Sequence, residues 1–247
     1  MEFQFEKLEI LGLNFQNVDY SQLIGAIQTS INDTKKITIS YANAHTLNKT
    51  FKNVKLINIV NSFDIIHPDG IGIYFASKIL HKKNSLNKRF TGSDFYPLLA
   101  EEAIKNNWKV FFFGHDVNTL NKIALHYPDL KVSGLLEGYN FRNADVINAI
   151  NQSNPDILIV GLGFPKQEEW IYENKDKINY KVILAIGEGI KVFAGTKIRG
   201  SKFIRVLGLE WLVRVFTNPF KYFKRYITGN PIFLYRIIIL KLRNLVG

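Results

Sequence analysis

The feature that most constrains this chain is an alternation, through its middle, of short Val/Ile/Leu-rich runs with helix-patterned segments. Trp108–Gly114, Leu130–Leu136, Asp156–Gly161 and Lys181–Ile186 read as strands. Between them, Asp116–His126, Asn143–Gln152 (with Asn143 as its cap) and Lys166–Lys177 read as helices. Continuous apolar strands separated by helices predict a parallel sheet covered on both faces. The N-terminal part repeats the theme less regularly. Leu8–Leu13, Ile37–Tyr41 and Phe63–Ile66 read as strands, and Tyr20–Ile31 as a helix with Asp19 at its N-cap. The fold class expected is α/β, a Rossmann-like parallel-sheet core with a helical basic C-terminal appendage.

The appendage is marked by charge. Residues 196–247 hold eleven Lys and Arg against the single acid Glu210, and so carry ten of the chain's eleven net positive charges. The same stretch is aromatic and aliphatic, and reads as two or three short helices. Leu209, Leu212, Val213 and Phe216 follow helical spacing, Asn218-Pro219 and Asn230-Pro231 are start signals, and Lys221, Lys224 and Arg225 share one side. A basic, apolar appendage on a nearly neutral body suits an anionic membrane surface. Its apolar runs are broken by Glu210, Arg214, Arg236 and Lys241, short of the roughly 18 apolar residues a spanning helix needs. Peripheral attachment is therefore expected, with a catalytic domain at residues 1–195 and a docking appendage at 196–247. Met1–Lys7 lacks the basic-then-apolar order of a signal peptide.

In open α/β sheets, ligands bind beyond the carboxyl ends of the strands. Five polar or glycine-bearing turns follow predicted strands here: Tyr41-Ala42-Asn43, His67-Pro68-Asp69-Gly70, Phe113-Gly114-His115-Asp116, Gly161–Glu168 and Gly187-Glu188-Gly189. They should converge on one rim. Gly161 and Gly163 permit close backbone approach to a ligand. The helix start after Pro165 suits a diphosphate, and Gln167 can donate and accept there. Asp69, between Pro68 and Gly70, is the carboxylate placed to take a proton from a hydroxyl; the plainer reading is a turn residue. His67 reads more simply as the last strand residue. Arg89 precedes a glycine-containing turn and a helix start at Thr91-Gly92-Ser93-Asp94. Cysteine is absent, as are G-x-G-x-x-G, a Walker P-loop, H-E-x-x-H, G-x-S-x-G and Asp-x-Asp. Thiol chemistry is thus excluded, and nicotinamide, flavin or a metal-held diphosphate is poorly supported. No cofactor is expected. A diphosphate would have to be met by Arg, Lys and helix ends.

Together these segments resemble the WecG/TagA/CpsF glycosyltransferases, glycosyltransferase family 26. The likeness runs from about residue 8 to 235. It rests on Asn43, His67–Gly70, Arg89–Asp94, Phe112–Gly114, Gly161–Trp170, Ala194-Gly195, Gly208–Arg214, Arg225-Tyr226 and Asn230-Pro231. It implies inverting, metal-independent transfer of an N-acetylmannosamine-type sugar from a UDP donor. The implied acceptor is a polyprenyl-diphosphate-linked N-acetylglucosamine at the cytoplasmic face of the cytoplasmic membrane. On that pattern Asp69 matches the general base, and Asn43 and Gln167 match pocket residues. Arg89, Thr91 and Asp94 match the R-x-T-G-x-D segment. Tyr41, Gly114, Gly161, Gly163, Glu168 and Gly187 fall in the binding turns, and Arg214, Lys221, Lys224 and Arg225 in the diphosphate-facing appendage. Three segments depart from the pattern: Tyr41 stands for threonine, Lys191 for aspartate, and Arg199-Gly200-Ser201 for R-A-P. They bear on the donor sugar more than on the reaction class. Two rivals remain. One is a nucleic-acid-binding protein, suggested by the pI of about 9.6 but disfavoured by the aliphatic tail; the other is an inactive assembly factor of the same fold. Whether the chain forms a homo-oligomer is left open.

Overall fold

The structure is a computed structural model and describes residues 5–246. Its centre is a six-stranded sheet built from β3 (Ile37–Ala42), β4 (Ile65–Pro68), β5 (Val110–Gly114), β6 (Val132–Leu136), β7 (Ile157–Gly161) and β8 (Val182–Ala185). The order is β4-β3-β8-β7-β5-β6, and every pairing is parallel. The fold is thus α/β and Rossmann-like. The apolar runs of β3, β4, β5, β7 and β8 are continuous because those strands are buried on both faces, whereas the edge strand β6 is only partly buried. Phe112, Ile157, Ile159 and Leu184 enter one core, while their neighbours Phe113, Leu158, Val160 and Ile183 enter the other.

The first core is closed by α1 (Tyr20–Asn32), α5 (Gly92–Lys105), α6 (Val117–His126) and α9 (Ile190–Phe193). α1 begins as expected: Asp19 accepts from the Gln22 amide at 2.9 Å, and the Gln22 side chain accepts from the Asp19 amide at 2.9 Å. The second core is closed by α2 (Ala44–Thr50), α3 (Val54–Asn61), α4 (Ile71–His81), α7 (Asn143–Ser153) and α8 (Lys166–Asn174).

Two expectations are corrected. Leu8–Leu13 is not one strand but a hairpin of β1 (Lys7–Ile10) and β2 (Leu13–Gln16). Leu11 and Gly12 adopt φ of 51° and 85°, the left-handed pair of a two-residue hairpin turn. The hairpin lies against the β4 edge, where Gln16 accepts from the Ile66 amide. Asn143 does not cap α7, which follows Arg142. Instead it accepts from the Trp170 indole at 2.7 Å and donates to Asn174 at 3.0 Å, tying α7 to α8.

The C-terminal stretch forms α10 (Lys202–Val206), α11 (Glu210–Thr217), α12 (Pro219–Phe223) and α13 (Gly229–Val246), with a π-helical turn at Lys224–Thr228. α13 is longer than the short helices expected, and its Phe233 and Ile237 are buried in the second core. Arg236 fastens it to α2 by donating to the Asn48 side chain at 2.8 Å. The π turn starts at Lys224, which is exposed, while Lys221 pairs with Glu188 and Arg225 is half-buried. Among the described residues, no helix is long and apolar enough to cross a membrane.

Candidate active site

The turns after β3, β4, β7 and β8 meet at the carboxyl rim of the sheet, and Asp69 stands where they meet. Its amide donates to the Ala42 carbonyl at 3.0 Å, and the next amide, Gly70, donates to Phe90 at 2.9 Å. Gly70 has φ of 88°, a conformation that a side chain at that position would resist. The carboxylate accepts from the Gly92 amide at 3.0 Å and from the Asn43 side chain at 3.4 Å. Asn43 is itself fixed as the cap of α2, accepting from the amides of His45 and Thr46. The acid is therefore aimed rather than free to rotate.

Two cavities open on either side of it. The first, about 200 Å³, lies over the sheet rim, between Tyr41, Ser93, Gly163, Gly187 and Lys197. The second, about 280 Å³, runs away from the rim between α4 and the C-terminal helices, past Gly72, Phe75, Ile79, Trp211, Phe233 and Leu234. Asn43, His45, Asp69, Arg214 and Arg225 line both. One side is thus mainly polar, the other mainly apolar. Carboxylate and guanidinium groups sit at the join.

The glycines divide into two jobs. Gly163, with φ of 81°, faces open space, and Gly187, with φ of 52°, brings its backbone against the Tyr41 phenol. Gly114 and Gly161 serve packing: a Cβ on Gly114 would lie 2.5 Å from the Gly161 backbone, and one on Gly161 would strike Ile190. Gln167 and Glu168 are buried behind the cavity wall. The Gln167 carbonyl oxygen accepts from the amides of Gly163 and Gly187 at 3.2 and 2.9 Å, so one side chain sets both turns. Its amide group donates to Glu168, which also accepts from Ser40 at 3.0 Å. Burial pushes the Glu168 carboxyl up to about 7.

His67 is a buried core residue, packed 4.3 Å from the Phe90 ring. His45 is held down to about 4, chiefly by burial and then by Arg225. It faces the cavity as a neutral imidazole.

The R-F-T-G-S-D stretch works mainly as a joint. Arg89 lines the apolar cavity and donates to the Arg205 carbonyl at 2.8 Å, and Thr91 lines the same wall. Asp94 is bridged to Arg199, which also pairs with Glu210 at 3.0 Å. Ser201 caps α10. Lys221 pairs with Glu188 at the rim, and Tyr222 donates to the same carboxylate at 2.7 Å. Burial would raise Glu188, but these two hydrogen bonds outweigh it and hold the acid at about 2. Lys224 is exposed and lines neither cavity. Sequence reasoning missed His45, Ser93, Tyr96, Trp211 and Lys197 as cavity residues. Lys197 registered only as one charge among the tail's eleven. Among the described residues, no group of three or more His, Cys, Asp or Glu side chains is placed to hold a metal ion.

A parallel α/β sheet with cavities at its carboxyl rim, roofed by a basic helical segment, defines a class: an open-sheet α/β protein with its candidate site beyond the strand ends. The family can be stated as well. The model of the glycosyl transferase WecG/TagA/CpsF family matches residues 8–246, and the chain belongs to that family. It is 31% identical over 237 residues to an N-acetylglucosaminyldiphosphoundecaprenol N-acetyl-beta-D-mannosaminyltransferase of Staphylococcus aureus (strain MRSA252), covering 94% of this chain and 92% of that one. It is 29% identical over 212 residues to the protein of the same name from Bacillus spizizenii (strain ATCC 23059 / NRRL B-14472 / W23), covering 84% and 82%.

Proposed function

We propose that the chain transfers an N-acetylmannosamine-type sugar from a UDP donor to a polyprenyl-diphosphate-linked N-acetylglucosamine, with inversion at the anomeric carbon. The observation that carries this reading is the meeting of a polar and an apolar cavity at one oriented carboxylate. The names of the two relatives support the acceptor and the transferred sugar. The donor nucleotide sits in the polar cavity, against Gly163 and Gly187. The acceptor lies with its sugar at Asp69, its diphosphate by Arg214 and Arg225, and its first isoprene units in the apolar groove.

Chemistry is a single displacement. Asp69 takes the proton from the acceptor hydroxyl while that oxygen forms its bond to the anomeric carbon. The bond to the donor phosphate breaks from the opposite face, through an oxocarbenium-like transition state, and the diphosphate leaves with the electron pair. Arg214 is positioned to meet charge on both diphosphates, because it lines both cavities.

Attachment to the cytoplasmic face of the membrane is peripheral on this reading. Phe220 is wholly exposed, Phe216 is 82% exposed, and Phe203 and Phe223 stand out beside Lys202 and Lys224. Such an aromatic and basic surface suits the interface of an anionic leaflet. Residues 1–195 act as the catalytic unit and 196–247 as roof and anchor. Incubating the full chain with a panel of UDP-N-acetylhexosamines and a lipid-linked N-acetylglucosamine tests the reading. A product is expected from the N-acetylmannosamine donor, with inverted configuration by NMR; transfer from a different nucleotide only, or none, contradicts it.

A further inference from the structure

Lys197, Arg214 and Arg225 are the Lys and Arg side chains that line the polar cavity, and Arg214 lies 3.8 Å from Glu210. Lys197 has no such partner among the described residues. It follows the last turn of the body, and its side chain reaches back into the cavity. There its amine donates to the Ser93 hydroxyl at 2.8 Å. Among the described residues no carboxylate oxygen lies within 4.0 Å of it. The charged and titratable groups around it are Tyr41 on β3, His45 on α2, Asp69 after β4, Tyr96 on α5, Glu188 after β8, Glu210 and Arg214 on α11, and Arg225 beyond α12. An ammonium partly drawn out of water toward a guanidinium, with a hydroxyl as its hydrogen-bond partner, is electrostatically uncomfortable until an anion arrives.

We propose that Lys197 is a diphosphate contact of the donor site and that it takes up a proton from solvent as the donor binds. Desolvation, reinforced by Arg214, holds the amine down at about 7 against the pull of Asp69, Glu210 and Glu188. A diphosphate beside it reverses the balance by adding negative charge at contact distance. The step is a neutral amine plus a solvent proton giving an ammonium; no covalent bond to the donor forms. The proton returns to solvent when the leaving diphosphate departs. The cavity thereby avoids storing a half-buried charge without a carboxylate partner between turnovers, yet presents one to the leaving group. Lys197 stands beside Asp69 in the same cavity, so donor charge and acceptor activation are set within one small volume.

The inference rests on the diphosphate-donor reading above, and one experiment separates the two. UDP, and inorganic pyrophosphate as a second probe, are titrated calorimetrically into the full chain at pH 8. The titrations are run in HEPES and in Tris, whose ionisation enthalpies differ. The wild type is expected to take up roughly half a proton or more per UDP bound. Lys197→Arg, always charged, should bind UDP within about threefold of wild type with the uptake gone. Lys197→Met should bind roughly tenfold more weakly, also without uptake. A merely structural lysine would not make proton uptake vanish in the arginine variant while affinity persists. Wild-type uptake or affinity retained in Lys197→Met, or no uptake by the wild type on binding UDP, overturns the inference alone. Failure of the wild type to bind either probe overturns the donor reading and the inference together. Uptake with pyrophosphate but no binding of UDP supports Lys197 and corrects the nucleotide.

Discussion

The two cavities that meet at Asp69 are built by different means. The polar one is floored by turns that follow four neighbouring strands, which the sheet holds in register, and is lined further by Ser93, Tyr96, Lys197, Arg214 and Arg225. The apolar one lies between α4 and helices that come more than a hundred residues later, and its far wall depends on how α11 and α13 dock. A site for a small charged ligand needs fixed backbone groups, which strand ends provide. A site for a long apolar chain needs surface and an open end, which packed helices provide. The contrast teaches that the C-terminal segment walls the candidate site. It supplies Arg214, Arg225, Trp211 and Phe233 to the walls.

The sharpest way to break that comparison is to remove the second region. Deleting Thr196–Gly247 should abolish transfer and vesicle binding together, with the remaining α/β fold checked by circular dichroism. A truncated protein still active on a water-soluble acceptor would reduce the segment to an anchor. Filling the groove is the next largest effect. Gly72 lies on α4, where a Cβ would already touch Phe233 at 3.6 Å. Gly72→Leu should therefore raise KM for the lipid-linked acceptor roughly tenfold or more, with UDP affinity unchanged; an equal loss of UDP binding would mean the cavities are not separate.

The polar side is probed by pH. Glu168 braces Gln167, and its carboxyl is raised from 4.5 to about 7 by burial. A folded-state value above the unfolded one means the contribution to stability is complete below 4.5. It is lost as pH rises through about 7. Thermal melts of wild type should fall across that window, and those of Glu168→Gln should be flatter; parallel curves would remove Glu168 as the cause. The smallest effect concerns the surface: Phe220→Ser should weaken binding to anionic vesicles roughly threefold and leave transfer to a soluble acceptor alone, which a flotation assay can measure.

Much of the polar side was legible in the sequence, because a parallel sheet forces the turns after its strands onto one rim. Asn43, Asp69, Gly163 and Gly187 were found that way, and all four line the polar cavity. Gln167 and Glu168 were placed in the right turn, but their work is behind the wall; spacing along a chain does not tell which side of a turn a side chain takes. The apolar side was largely hidden. The aromatic and aliphatic tail as a whole suits a membrane surface, whereas its Phe233 and Ile237 are buried in the second core. Helices far apart in sequence carry no local mark of docking. The hairpin was missed because Leu11, an apolar residue in an apolar run, adopts a left-handed conformation that such residues rarely take.

The central claim is that Asp69 joins a donor cavity to an acceptor groove and does its work on the acceptor hydroxyl. Asp69→Asn keeps the shape of the side chain and the hydrogen bond that it accepts from Gly92, but removes the base. Measured side by side, UDP affinity should stay within about threefold of wild type, while transfer to the lipid-linked acceptor falls by roughly a hundredfold to ten-thousandfold. Retained transfer in that variant, or loss of UDP binding with a fold shown intact, would contradict the claim.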